Sequence, residues 1–332
     1  MTTTQIVLAS RPNGMPTVAN FRFEDFKLPD LTAGNVLLRG VYYSVDPYLR
    51  GRMNDAESYI PPFQINKAIE GSVIASVIES KADLLRKNDL VMGMLPWSKE
   101  FIADGKGLHK IERSDLPVSY HLSVLGMTGL TAYFGLLDIG KPKSSETVVV
   151  SGAAGAVGMV AGQIAKILGC HVIGIAGSDE KVKFLKDELG FDGAINYKQN
   201  ADMTTAIAEL CHGGVDIYFD NVGGEISDAV LANISKGARI IICGQISSYN
   251  DIRASVGPRP QSALLRRSAL MQGFIVGNYV SRFPEGVMQL EKWLRTGKLN
   301  FRETTMNGFE RLPEAFLHLF EGGNTGKMLV EI

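Results

Sequence analysis

Only three cysteines, Cys170, Cys211 and Cys243, occur in the 332 residues. They are too few and too unevenly spaced for a disulfide framework, so the chain reads as a protein of a reducing, cytoplasmic setting. Charge of one dominant sign is also missing. The 34 basic and 35 acidic side chains leave a formal net charge of −1, and no global field steers the molecule toward nucleic acid or an anionic membrane. The opening stretch MTTTQIVLASRPNGMP lacks a basic flank followed by a sustained apolar run, so it does not read as a secretory leader. No heptad array, internal repeat or low-complexity linker is present.

A long apolar run is there, but glycine breaks it. Val148 to Ala165 carries no charge and has about the length of a bilayer span, yet four glycines interrupt it. The triplet Val148, Val149, Val150 suits a strand buried on both faces, the glycines cluster at a turn, and MVAGQIAKILG resumes with helical spacing. HVIGIAGS then reads as a second strand, completing a βαβ unit of about thirty residues.

The turn is spaced Ala153-x-Gly155-x-x-Gly158, a dinucleotide fingerprint with alanine in its first glycine position. At Gly155 the bare backbone can approach a pyrophosphate, at Gly158 the helix can pack closely on the strand, and the helix start offers free N–H groups. An NAD site normally carries a carboxylate at the end of the second strand; here that strand ends in Ala176-Gly177-Ser178, with Lys181 on the next turn. The pattern favours a 2′-phosphorylated cofactor, NADPH. Asp179 and Glu180 stand nearby, where a helix start accounts for them through its dipole.

Short β-rich runs separated by Gly, Pro, Asn and Asp fill the first 125 residues, the pattern of a small, mostly β domain. From Leu125 to about Gly297, strands and helices alternate, which predicts a doubly wound parallel sheet. The loops Asp220 to Gly224 and Cys243 to Ser247 follow two of its predicted strands and should line the cofactor crevice.

Eight stretches, in order, carry a resemblance over nearly the whole chain: SVDPYLRGRM, LGMTGLTAYFGLLDIG, GAAGAVG, GSDEK, NYK, DNVGG, CGQISSYN and GGNTGK. The sequence resembles zinc-independent members of the medium-chain dehydrogenase/reductase superfamily, in the group of prostaglandin reductases, alkenal/one reductases and bacterial curcumin/dihydrocurcumin reductases. The likeness is strongest to the bacterial reductases, through SYIPP and SSYN. The resemblance implies an α/β protein with a GroES-like domain over residues 1–125 and 298–332 and a Rossmann domain over 126–297. It implies NADPH as cofactor, reduction of the carbon–carbon double bond of α,β-unsaturated carbonyls, and a homodimer formed through the Rossmann sheet. Position by position, it implies Gly155, Ala156, Val157 and Gly158 at the pyrophosphate and Lys181 and Tyr197 at the 2′-phosphate. Asn221, Cys243, Gly244 and Ser247 would line the cofactor, with Met127, Phe274 and Val276 near the nicotinamide and Asn324 reaching back from the terminal segment. Two departures stand out: Thr128 replaces a proline common in the family, and DIRASVGPRPQSALLRR differs from the proline- and tyrosine-rich loop of the prostaglandin reductases.

The zinc-ligand pattern of the superfamily's alcohol dehydrogenases is missing. Ser44-Val45-Asp46 stands where they carry a cysteine, the stretch from Glu70 to Val77 lacks their histidine, and the five histidines are scattered. Without a Lewis acid, the accessible chemistry is addition of hydride to a conjugated alkene, with hydrogen bonds stabilising the enolate oxygen. Tyr249 and Tyr59 are the candidate donors, to the oxygen or of the α-carbon proton; water or the cofactor ribose could supply that proton instead. Quinone reduction through the same geometry and a non-catalytic NADPH-binding protein remain as alternatives, and no metal is expected.

Overall fold

The computed structural model describes residues 1–112 and 114–332. Two compact units emerge: residues 1–122, 304–324 and 328–332 form the first, and residues 123–303 and 325–327 the second.

The first unit is built from strands β1 (Thr2–Leu8), β2 (Phe21–Lys27), β3 (Asn35–Ser44), β4 (Glu70–Ser80), β5 (Leu90–Pro96), β6 (Glu100–Asp104) and β7 (His109–Lys110), with one short helix, α1 (Leu49–Arg52). Strands β1 and β2 pair antiparallel. The other five join a seven-stranded sheet that the returning chain completes. Val36, Leu38, Val73, Ala75, Val91 and Trp97 point into one core, and each large apolar side chain buried there contributes about 1.5–3 kcal/mol relative to exposure. Tyr43 is buried with them, its hydroxyl donating to the Ser98 carbonyl at 2.5 Å.

In the second unit the chain enters α2 (Met127–Phe134) and then alternates: β8 (Thr147–Ser151), α3 (Gly158–Ile167), β9 (His171–Ala176), α4 (Asp179–Asp187), β10 (Gly193–Asn196), α5 (Met203–Leu210), β11 (Val215–Asp220), α6 (Gly224–Ala232), β12 (Ile234–Ile242), α7 (Gln261–Arg267), β13 (Leu270–Gly273) and α8 (Phe283–Arg295). The sheet order is β10-β9-β8-β11-β12-β13, and neighbouring strands run parallel. Val148, Val149 and Val150 are fully buried, because helices cover both faces of such a sheet. The order reverses between β8 and β11, which places a crevice at their carboxyl ends. The Ser178 hydroxyl caps α4 by accepting from the Lys181 amide, with Asp179 and Glu180 in the first turn, where carboxylates complement the helix dipole.

The chain then returns through β14 (Glu303–Asn307), α9 (Leu312–Glu321) and β15 (Lys327–Glu331), giving the first unit's sheet the order β14-β15-β3-β4-β5-β7 with β6 paired to β3. Helix α9 buries Ala315, Phe316 and Leu319 and stops at Gly322, whose φ of 75° is left-handed. Among the described residues, no helix is long and apolar enough to cross a membrane.

Candidate functional site

Six parallel strands point their carboxyl ends the same way, and most of the expected site residues follow those ends directly. Gly155, Ala156, Val157 and Gly158 come after β8, Lys181 after β9 and Tyr197 after β10. Asn221 comes after β11, Cys243, Gly244, Ser247 and Tyr249 after β12, and Phe274 and Val276 after β13. Met127 opens α2 of the same unit. Tyr59 and Asn324 belong to the first unit. Tyr59 lies between α1 and β4 with 62% of its surface exposed, so it is no core tyrosine.

The glycine loop has the form an anion cradle needs. A Cβ at Gly158 would lie 2.4 Å from the Gly152 carbonyl oxygen and 2.8 Å from the Ala153 Cα, so only glycine lets α3 start this close to β8. The first N–H groups of α3 have no partner earlier in their own helix, and they face the direction from which a phosphate is attracted.

At the ends of β9 and β10 the surroundings are cationic. Burial, and then the neighbouring Lys198, push the Lys181 ammonium below its ordinary pKa. A second cation close by is a cost that an entering dianion would offset. Asp179, the obvious repulsive group, accepts from Asn196 Nδ2 at 2.7 Å and Gln199 Nε2 at 2.8 Å. Those bonds hold its carboxyl below the usual range. The ring of Tyr197 crosses above Gly177, where a Cβ would meet Tyr197 Cε1 at 3.0 Å. The residues present therefore fit a 2′-phosphorylated dinucleotide.

The floor of the crevice is organised by a residue the sequence motifs placed only in a turn. Asp220 is 2% exposed, and its Oδ1 accepts from Ser151 Oγ (3.0 Å), Tyr218 OH (2.9 Å) and the amides of Val222 and Gly223 (both 2.9 Å). Its carbonyl accepts from the amides of Cys243 and Gly244. Asn221 donates through its amide to Ser151 Oγ and through Nδ2 to the Ser151 carbonyl. The ends of β8, β11 and β12 are thus tied at one residue, through its carboxylate and its main-chain carbonyl. Ser151 and Lys198 also escaped sequence reasoning: Ser151 has no motif of its own, whereas Lys198 was visible in NYK.

Ser247 reinforces the same floor, its hydroxyl donating to the Val222 carbonyl at 2.6 Å. The Cys243 thiol is pushed up to about 12 by burial and by Asp220, so Cys243 can offer backbone and shape but no thiolate. Burial likewise raises Tyr249; its hydroxyl accepts a 3.5 Å contact from the Gln245 amide and stays a proton donor at neutral pH. Phe274 turns its ring inward, onto the space above Gly135, where a Cβ would meet it at 2.6 Å. At Thr128, the hydroxyl donates to the Ser123 carbonyl at 2.9 Å and secures the start of α2, a contact proline could not make. In the first unit, Ser44 donates to Asp46. Among the described residues, no group of three or more His, Cys, Asp or Glu could hold a metal ion.

Known proteins resemble this chain over nearly its whole length. Residues 4–111 match a family model described as the N-terminal domain of oxidoreductase, and residues 156–292 match one described as zinc-binding dehydrogenase. The chain is 40% identical to the NADPH-dependent curcumin reductase of Escherichia coli, over 98% of this chain and 96% of the relative. It is 39% identical to the NADP(+)-dependent 2-alkenal reductase of Nicotiana tabacum, over 99% and 97%. The crystal structure of CurA from Vibrio vulnificus in complex with NADPH superposes with a TM-score of 0.93 at 44% identity, over 99% of this chain and 98% of that one. With the fold, the strand-end loops and these relatives in agreement, the chain belongs to the alkenal/one reductase group of the medium-chain dehydrogenase/reductase superfamily.

Proposed function

We propose that the protein is an NADPH-dependent reductase of the carbon–carbon double bond of α,β-unsaturated aldehydes and ketones, working on 2-alkenals, alkenones or curcumin-like substrates. The observation that carries this reading is the neighbouring Lys181 and Lys198, which follow the second and third Rossmann strands, with Asp179 tied down by Asn196 and Gln199. That arrangement selects a 2′-phosphate over a ribose hydroxyl.

Bound NADPH would supply the hydride. The chain's own task is to hold it and to handle the oxygen and the proton. Gly155 to Gly158 would take the pyrophosphate, Lys181 and Tyr197 the 2′-phosphate, and Asn221, Cys243, Gly244 and Ser247 the groups between. Met127, Phe274, Val276 and Asn324 would complete the nicotinamide end. Tyr249, kept protonated by burial, would donate to the substrate carbonyl oxygen, and Tyr59 is the second candidate donor. One such donor is worth roughly 3 kcal/mol of barrier. The reading takes the reaction to run without metal, with Ser44-Val45-Asp46 standing where the superfamily's zinc enzymes carry a cysteine.

A homodimer is part of the proposal. Strand β13 is the sheet edge, and Leu265, Leu270, Ile275 and Val280 around it are exposed, a combination that invites strand pairing. A cytoplasmic setting fits the three unpaired thiols.

The deciding experiment follows NADPH absorbance with a medium-chain 2-alkenal, a 2-alkenone, a quinone and the matching saturated aldehyde, with products identified by mass. Saturated carbonyl product from the alkenal or alkenone, and no turnover of the saturated aldehyde, is the expected result. NADPH oxidation by the quinone alone would make the protein a quinone reductase, and binding without any turnover a nucleotide-binding protein.

A further inference from the structure

The penultimate residue of the stretch GGNTGK, Gly326, is a glycine that the cofactor reading leaves unused. Gly326 belongs to the second unit and forms an isolated parallel bridge with Gly155, in the middle of the glycine loop. Its amide donates to the Ala154 carbonyl at 2.7 Å, and the next amide, Lys327, donates to the Arg302 carbonyl at 3.1 Å. The residue is left-handed, with φ at 75°. A Cβ on it would lie 1.8 Å from the Arg302 carbonyl oxygen and 3.1 Å from Met159 Cε. Backbone cannot yield as a flexible side chain can, so glycine is required here on two counts.

What Gly326 leans on is itself anchored. Gln163 is 3% exposed, an odd amide in an otherwise apolar stretch of α3. It clamps Asn300 by two bonds: Nε2 donates to the Asn300 carbonyl and Oε1 accepts from the Asn300 amide, both at 2.8 Å. Gln163 Nε2 also donates to the Met159 carbonyl at 2.9 Å. Two residues beyond Asn300, Arg302 is held by its guanidinium, 2.6 Å from Glu188 Oε2 and stacked over the Phe184 ring. Helix α3 therefore fixes Asn300, α4 and its C-cap Glu188 fix Arg302, and these seat Gly326 against the loop that opens α3.

We propose that Gly326 is a positioning residue for the anion cradle: its backbone braces Ala154 and Gly155 from the outside, so that the N–H groups at the start of α3 are already aimed when the pyrophosphate arrives. The inference rests on the reading of that loop as the pyrophosphate site. A preorganised cradle loses less freedom on binding than one that must be ordered by its ligand. The brace is built from backbone groups and would be invisible to a search for conserved side-chain chemistry.

The test compares Gly326→Ala with Gly297→Ala, a glycine of similar φ (66°) with nothing within 4 Å of its would-be Cβ. Dissociation constants are measured for NADPH and for adenosine 2′-phosphate, which reaches the Lys181 end but carries no pyrophosphate. The expected result for Gly326→Ala is NADPH affinity about tenfold weaker with adenosine 2′-phosphate unchanged, and neither ligand affected in Gly297→Ala. Unchanged NADPH affinity in Gly326→Ala, or an equal loss for both ligands, overturns the brace while leaving the cofactor reading intact. Wild-type protein that binds no NADPH overturns both. Where Gly326→Ala does not fold, amide hydrogen exchange on the wild type without cofactor decides: strong protection of the Gly326 amide before NADPH is added supports the brace, and an amide that exchanges freely until NADPH is added overturns it.

Discussion

Ser151, at the end of β8, donates its hydroxyl to Oδ1 of Asp220, at the end of β11, at 3.0 Å, and both residues are buried. The pair bridges the two strands between which the sheet order reverses, and the same Oδ1 takes three further donors. Replacing Asp220 by alanine takes the acceptor from all four donors, two of them, the Ser151 and Tyr218 hydroxyls, on buried residues. Hydrogen bonds to a charged group are worth about 1.5–3 kcal/mol each, and partial rearrangement brings the expected loss to roughly 3–5 kcal/mol. Denaturant unfolding of Asp220→Ala against wild type measures it. A loss below about 1 kcal/mol would mean the network is not a structural hub.

Lys181→Ala should weaken NADPH binding about tenfold or more while leaving NADH binding nearly unchanged, because only the first carries the phosphate proposed to pair with the ammonium. The preference for NADPH should also fall with rising pH. Lys181 titrates below the ordinary lysine value, so it loses its charge earlier than a surface lysine as the solution turns alkaline. Titrations with both cofactors over pH check this; a ratio that stays flat into the alkaline range assigns the selectivity elsewhere.

Tyr249→Phe should lower kcat by about 10²-fold with the KM for NADPH unchanged, the effect of removing one donor to a developing oxyanion. Since burial raises Tyr249, its hydroxyl remains protonated through neutral pH, and the rate should show no fall from this group below about pH 10. Tyr59→Phe measured alongside tells which of the two acts on the oxygen. If both variants retain wild-type kcat, neither is the donor, and water or the cofactor ribose becomes the proton source.

The thiols should be inert. Burial pushes Cys170 and Cys211 up to about 11 and Cys243 up to about 12, and it is the thiolate that reacts. Native protein treated with iodoacetamide near neutral pH should keep full activity and gain no adduct by mass, with labelling appearing only on unfolding. Rapid labelling of Cys243 would show that the crevice floor opens in solution.

Leu270→Lys places a charge on the exposed edge strand β13, where the side chain is 47% exposed. A monomer tolerates that change, whereas pairing of two such edges does not. Sedimentation should give a dimer for wild type and a monomer for the variant; identical masses would move any interface away from this edge.

The βαβ unit was legible because its signals are local: three consecutive valines, a glycine cluster and a resumed helical spacing all fall within one short stretch. The strand-end loops followed from the topology those signals imply. The hub at Asp220 was not legible, since Ser151 lies 69 positions away in the chain and DNVGG alone reads as a turn. Gln163 hid for the same reason: its partner Asn300 is 137 residues distant, and a single amide in an apolar helix carries no sequence signal. Tyr59 was ambiguous for a tyrosine's usual reason, that its ring serves packing and its hydroxyl chemistry. Its exposure removes only the packing reading.

Strand β15 sits between β14 and β3 in the first unit's sheet, yet it is made only after all six strands of the second unit's sheet. On a ribosome, the Rossmann sheet can close while β3 still shows a bare row of amides and carbonyls where β15 belongs. An open edge of that kind is a template for the wrong partner. The nascent chain is therefore most vulnerable to aggregation late in synthesis, in the interval between the completion of α8 and the arrival of Lys327–Glu331.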